Sequence, residues 1–158
     1  LASLYEEENK IDKAIEALQS YLEFTEDEYQ KLASWKRLAL LYSKQNDWNG
    51  ELHSLTEICE LTITPIEQVN ASIDRINGIL SNHKFSSDSE KEIMVRRIIS
   101  SFDKKLESIL PKATDCSQLA WLNLHANDKA NAIKAIKRGL KIDPNNYHCL
   151  KLKKTLHI

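Results

Sequence analysis

Turn-forming residues are scarce in this chain. Its 158 residues include three glycines and three prolines, about 4% of the total against roughly 12% in average usage. A sandwich, a barrel or a glycine-loop nucleotide fold needs more turn punctuation than that, so these classes are excluded. Cysteine is equally sparse. Cys59, Cys116 and Cys149 make an odd count with no C-x-x-C spacing, which predicts reduced thiols and a cytoplasmic setting. No apolar run approaches the roughly 20 residues of a membrane span, and no basic-then-apolar leader opens the sequence. Aromatics make up 7%. What the chain does have is 42% hydrophobic and 28% charged residues, the balance of a folded, water-facing protein.

The net charge of −1 conceals a gradient. Residues 1–60 hold thirteen acids and six bases, whereas residues 129–158 hold eight bases and one acid, Asp143. Such blocks are ordinarily solvated faces, but their polarity limits what can dock at each end.

Helical periodicity runs through the whole length. It predicts nine helices, near 1–8, 11–24, 26–45, 48–62, 65–81, 88–109, 115–126, 128–142 and 146–157. Thr25–Glu28, Thr64–Glu67 and Ser87–Glu90 each have the S/T-x-x-E form of a capping box. Asn9, Asp47 and Asn127 or Asp128 read as further N-caps. Asp143-Pro144-Asn145-Asn146 is a turn. The polar stretch from Ser81 to Ser87 is the candidate mobile loop. Short connections force antiparallel neighbours, so the chain is all-α and built from helical hairpins. The hairpins expected are 1–24, 26–62, 65–110 and 115–142, with a capping helix at 146–157, together forming one helical-repeat domain.

Three segments share one pattern. Trp35-x-x-Leu38-Ala39-x-x-Tyr42 is followed by Asn46-Asp47-Trp48 and then by Leu52, Leu55 and Ile58. Leu1-Ala2-x-x-Tyr5 leads through Asn9 to Ala14, Ile15 and Leu18. Cys116-x-x-Leu119-Ala120 leads through Asn127-Asp128 to Ala132, Ile133, Ile136, Gly139 and Leu140. Small residues at Ala2, Ala39 and Ala120 allow two helices to approach closely, and the Asn-Asp pair turns the chain. These segments resemble tetratricopeptide repeats, most specifically over residues 129–146. The resemblance covers about 1–63 and 113–146. Residues 64–112 depart from it, lacking the small-residue signature and running into a long second helix rich in Ile93, Val95, Ile98, Ile99, Phe102, Leu106 and Ile109. Asn123 also stands where the family usually carries an aromatic, a gap that Trp121 is expected to fill.

The resemblance implies a right-handed α-solenoid and a protein–protein interaction module, a scaffold or adaptor with no catalysis of its own. The first helix of each pair would line a concave groove. Carried over by position, that wall holds Lys36, Leu40, Ser43 and Lys44 in one repeat and Ser117, Trp121, Leu124 and His125 in another. A groove of this kind suits a peptide or protein segment with apolar anchors and an acidic group. Leu40 and Trp121 occupy positions where family members that clamp a terminal carboxylate have polar residues, which argues against that specificity. A sequence opening inside a repeat, without an initiator Met, is expected of a piece of a larger bacterial-type protein. The alternative reading follows from that: a regulatory or sensor arm of a multidomain enzyme.

Catalytic constellations are not found in the sequence. The five histidines make no H-E-x-x-H and no His-x-His pair, and His148-Cys149 point about 100° apart on one helix, an arrangement that rarely shares a metal. No phosphate-binding loop or nucleophile elbow is present. Neither an enzyme activity, nor a metal, nor a cofactor is therefore expected. Lys134, Lys137, Arg138 and Lys141 recur at i, i+3, i+4 and i+7 as a basic stripe, to which Lys151, Lys153 and Lys154 add. With only Tyr147 as an aromatic nearby, nucleic acid is the weaker reading of that stripe. An acidic partner is the stronger one, including the acidic residues 1–60 of a second molecule in weak head-to-tail association. No membrane partner is expected.

Overall fold

A computed structural model of the chain describes residues 10–158. The expected first helix at 1–8, with Ala2, Tyr5 and the cap Asn9, lies outside the described residues. Eight α-helices follow: α1 Ile11–Phe24, α2 Glu28–Lys44, α3 Trp48–Glu60, α4 Ile66–Asn82, α5 Asp88–Glu107, α6 Ala113–His125, α7 Lys129–Ile142 and α8 Tyr147–Thr155. No strand occurs among the described residues. The chain divides into two compact units, one ending at Pro65 and one spanning Ile66–Ile158.

In the first unit, α2 packs on both α1 and α3. Ala14, Ile15 and Leu18 of α1 meet Leu38 and Leu41 of α2 in one apolar cluster, with Trp35 and Tyr42 at its edge. Polar links flank it, Gln19 Nε2 donating to the Tyr42 hydroxyl at 2.8 Å and Gln45 Nε2 to Asp12 at 2.6 Å. Burial of Tyr42 and the charge of Asp47 both push its hydroxyl pKa up, while the Gln19 bond opposes them.

In the second unit, α7 lies closely along α6, and α4, α5 and α8 also pack on α6. Small residues line the tight crossing: Ala113, Ala120, Ala132 and Ala135 are buried, as is Gly139. A Cβ built on Gly139 would stand 2.5 Å from Cys149 Sγ and 3.1 Å from Cys116 Cβ. The buried stripes of α4 and α5 are instead Val69, Ile73, Ile76 and Leu80, and Val95, Ile98, Phe102 and Leu106. Bulk at every buried position but Ser72 keeps backbones apart. That accounts for the missing small-residue signature over 64–112, where α4 and α5 rest on α6 rather than closely on one another.

The same turn joins α2 to α3 and α6 to α7. Asn46 and Asn127 adopt left-handed φ of 56° and 57°, which Asn tolerates better than other side-chain-bearing residues. The Asp after each is the N-cap, Asp47 accepting from Gly50 N at 3.0 Å and Asp128 from Asn131 N at 3.1 Å. Ser87 caps α5 as expected, accepting from Glu90 N at 3.1 Å, while the Glu90 carboxylate accepts from the Ser86 hydroxyl. Two expected boxes are used differently. Asp27, not Thr25, caps α2, because its carboxylate reaches Tyr29 N at 2.8 Å while the Thr25 backbone N–H closes the end of α1 on Tyr21 O. The Thr64 hydroxyl donates to Ile58 O at 2.7 Å, tying the end of α3.

Asn123 is itself a core residue, 4% exposed, its Nδ2 donating to Leu119 O at 2.9 Å. The expected substitution by Trp121 does not occur. In the first unit the Tyr42 ring lies over Gly50; at the matching pair of the second unit Asn123 and the exposed Asn131 border a hollow of about 270 Å3, so the space an aromatic would fill is left open.

Two glycine substitutions separate close packing from helix propensity. Gly139→Ala is expected to destabilise the chain by about 1–3 kcal/mol through overpacking against Cys149 and Cys116. Gly78→Ala, whose new methyl meets nothing within 4 Å, is expected to stabilise it by about 0.5–1 kcal/mol. Urea unfolding midpoints check both signs.

Candidate functional site

The expected groove residues divide between the two units. On α2, Lys36 and Lys44 are exposed, Leu40 is 57% exposed and Ser43 is half-buried. They form a solvent-facing row opposite the buried Leu38 and Leu41. The second set lies on α6, where Trp121, Leu124 and His125 are half-buried and Ser117 is buried with its hydroxyl donating to Thr114 O at 2.8 Å.

Ser117 and Trp121 border a hollow of about 320 Å3 between α4 and α6. Asp74, Asn77, Gly78 and Ser81 form its α4 side, Thr114 and Gln118 join on α6, and His148 of α8 closes one edge. Leu124 and His125 are not among its lining residues. Side-chain amides bridge the two helices. Asn77 Nδ2 donates to Gln118 Oε1 at 2.8 Å, Gln118 Nε2 reaches Asp74 Oδ1 at 3.5 Å, and Asn70 Nδ2 donates to Asp115 Oδ1 at 2.7 Å. Asp115 in turn accepts from Lys112 N at 2.7 Å, fixing the start of α6. The carbonyl oxygens of Asn77 and Asn70 are buried and accept no hydrogen bond. Beside Asn77, Gly78 leaves open space where a side chain would project.

The α4 half of this hollow is not evident from sequence. Asn70 and Asn77 stand seven residues apart on one helical face, two turns that bring them into line. They lie in the segment without the repeat signature, where polar residues beside an apolar stripe read as solvated.

The basic stripe separates into two rows. Lys134 and Arg138 border a hollow with Arg96, Asp103, Asn123 and Asp128. Burial there raises the Asp103 pKa, opposed by Arg138 and reinforced by Glu107. Asp128 is held low, first by its hydrogen bonds from Asn131 and then by Arg96 and Lys134. Lys137 and Lys141 border a different, apolar hollow with Ile136, Leu140, Lys153 and Ile158. Leu140 is half-buried at this surface. Lys151 and Lys154 are exposed on α8. All three cysteines are buried and none is in a disulfide. Burial, Cys116 and Asp143 push the Cys149 thiol up to about 11. Among the described residues, no three His, Cys, Asp or Glu side chains converge as a metal site, and no helix is long and apolar enough to cross a membrane.

The His125 ring stacks on Trp121, centroids 6.1 Å apart and planes 28° from parallel. Its Nε2 is buried and accepts or donates no hydrogen bond. Burial and then the Lys91 charge lower its pKa from 6.5 to about 4. The unfolded chain therefore takes up a proton below pH 6.5 that the folded chain refuses until about pH 4. Stability from this residue is complete above pH 6.5 and is lost as pH falls through that window. His125→Phe, which keeps a ring against Trp121, is expected to flatten the acid-side loss of stability between pH 6.5 and 4. Denaturant titrations across that range check it, and a slope equal to the parent's would exclude His125 as its source.

No curated protein matches the chain. Residues 116–146, which hold nearly all of α6, the left-handed Asn127 turn, α7 and the turn into α8, match the family model described as Tetratricopeptide repeat, so this hairpin is similar to a tetratricopeptide repeat in sequence as well as in shape.

Proposed function

We propose that the protein is a tetratricopeptide-like interaction module that holds a peptide segment of a partner in the hollow between α4 and α6. The observation that carries this reading is the Asn77 carbonyl oxygen, buried without a hydrogen bond beside an open hollow walled by Trp121. A buried acceptor left unpaired costs about 1–3 kcal/mol. With the Asn77 side chain turned towards the hollow, a peptide N–H laid along α4 would satisfy it, while the half-buried indole of Trp121 supplies a flat apolar wall for a neighbouring side chain. Ser117 and Gln118 border the same hollow, so the segment would pass between an amide ladder and an aromatic. Recognition of that type needs no catalysis and no cofactor. Lys36, Leu40, Ser43 and Lys44 are a separate candidate contact row of the first unit. Three buried thiols outside any disulfide support a reducing, cytoplasmic setting.

A peptide library displayed on phage and selected against the purified chain tests the proposal. Truncating a buried aromatic anchor typically costs 2 kcal/mol or more, about a thirtyfold loss of affinity. Trp121→Ala is expected to weaken the selected peptides by that factor. Gly78→Phe, placed in open space, is expected to block them while leaving the helical spectrum intact. Peptides that bind both variants as tightly as the parent would move the interface off this hollow.

A further inference from the structure

We propose that the chain associates with itself head to tail, the Phe24 corner of one copy seating in the lysine-rimmed hollow of α7 and α8 of the next. This surface is separate from the α4/α6 hollow, so the two readings stand or fall independently.

The socket is a hollow of about 420 Å3. The side chains of Ile136, Leu140 and Ile158 form its apolar part, and Lys137, Lys141 and Lys153 are the only charged side chains in its lining. Among the described residues none of these three lysines makes an ion pair. The neighbouring row on the same helix makes no ion pair either, but Lys134 and Arg138 share their hollow with Arg96 and with two carboxylates, Asp103 and Asp128. Position near a helix C-terminus accounts for Lys141 and Lys153, which favour the negative end of the dipole within the last turn. It does not account for Lys137. An apolar floor ringed by uncompensated cations takes an occupant that is apolar at its tip and acidic around it.

The first unit carries such a group. Phe24 is 82% exposed at the end of α1, far beyond what an ordinary surface phenylalanine shows. Glu23, Glu26 and Asp27 surround it in sequence and are all exposed. Lys31 approaches Glu26 only to 4.0 Å, which leaves the corner strongly acidic. Tip and socket are thus complementary in charge and in polarity, and they lie on different units of the chain. A contact between unlike surfaces is head to tail and passes from copy to copy, as an open series or a closed ring. One aromatic and a ring of exposed charges fall short of the area of a stable interface, so the association is weak and salt-sensitive.

Sedimentation velocity on the whole chain from about 10 μM to 1 mM, the range of weak contacts, tests this. At low salt the mean mass is expected to rise with concentration. At 1 M salt, where charges are screened within about 3 Å, the rise is expected to vanish. Phe24→Ser and Lys141→Glu change exposed residues, and circular dichroism checks that both remain folded. Each alone is expected to weaken association at least tenfold. Mixed, they are expected to form a 1:1 pair that grows no further, because Lys141→Glu keeps its tip and Phe24→Ser keeps its socket. A parent chain that stays monomeric at low salt and 1 mM overturns the proposal. So do single variants that associate like the parent, or a mixture that fails to pair.

Discussion

A methyl group has no room where α7 crosses α6 and α8. At Gly139 the Cys149 sulfur, the Cys116 side chain and the Ala113 carbonyl all crowd the space that a Cβ would need. Cysteine fits such a seam because it packs as a small hydrophobe. The same burial suppresses its chemistry, since Cys116 and Cys149 are both held towards the thiol. Cys149 Sγ lies 3.6 Å from Ala113 O, so even this weak donor is used to fasten α8 onto α6. The depth of that crossing fixes α8, and with it the two side chains that α8 lends to the surface. His148 closes one edge of the hollow beside Trp121, and Lys153 completes the cationic rim beside Lys137 and Lys141.

The two hairpins α2–α3 and α6–α7 show how one local solution carries two different packings. Both turn through a left-handed Asn followed by an Asp cap, and in both the Asp backbone N–H returns to the same helical position, Tyr42 O at 2.9 Å and Asn123 O at 2.8 Å. What differs is the partner across the turn. Tyr42 lies over a glycine, and Asn123 is matched with Asn131. The chain geometry is therefore set by the turn, and the side chains above it differ in bulk without disturbing it.

Which parts of this were legible in the sequence follows from where the information sits. Helix positions were, because apolar periodicity is local; the eight described helices begin and end within about two residues of expectation. The Asn-Asp turns were, because the unusual φ demands a particular residue type. The choice of cap before α2 was not. Thr25 and Asp27 are both good caps, and only the end of α1 decides between them by engaging Thr25. The α4 side of the hollow was not legible either. Asn77 meets Gln118 across 41 positions of chain, and no local pattern distinguishes that asparagine from one that faces water.

The basic stripe shows the same limit in electrostatic form. Four cations at i, i+3, i+4 and i+7 look like one band on a helical wheel, yet residues four apart lie some 40° apart on a helix, whereas residues three apart fall 60° to the other side. Lys134 and Arg138 therefore make one row, Lys137 and Lys141 another, and neighbouring helices treat them differently. The first row lines a hollow that also holds the carboxylates of Asp103 and Asp128 and the guanidinium of Arg96, so its charge is partly offset at close range. The second row receives Lys153 from α8 and no acidic side chain. Exposed like charges cost little individually in water, so the fold tolerates the arrangement. Their fields add beyond the surface out to a Debye length of about 10 Å at 0.1 M salt. The positive end of this chain is thus concentrated by helix geometry onto one side of α7, over an apolar floor, and is not spread along a stripe as phosphate tracking would require.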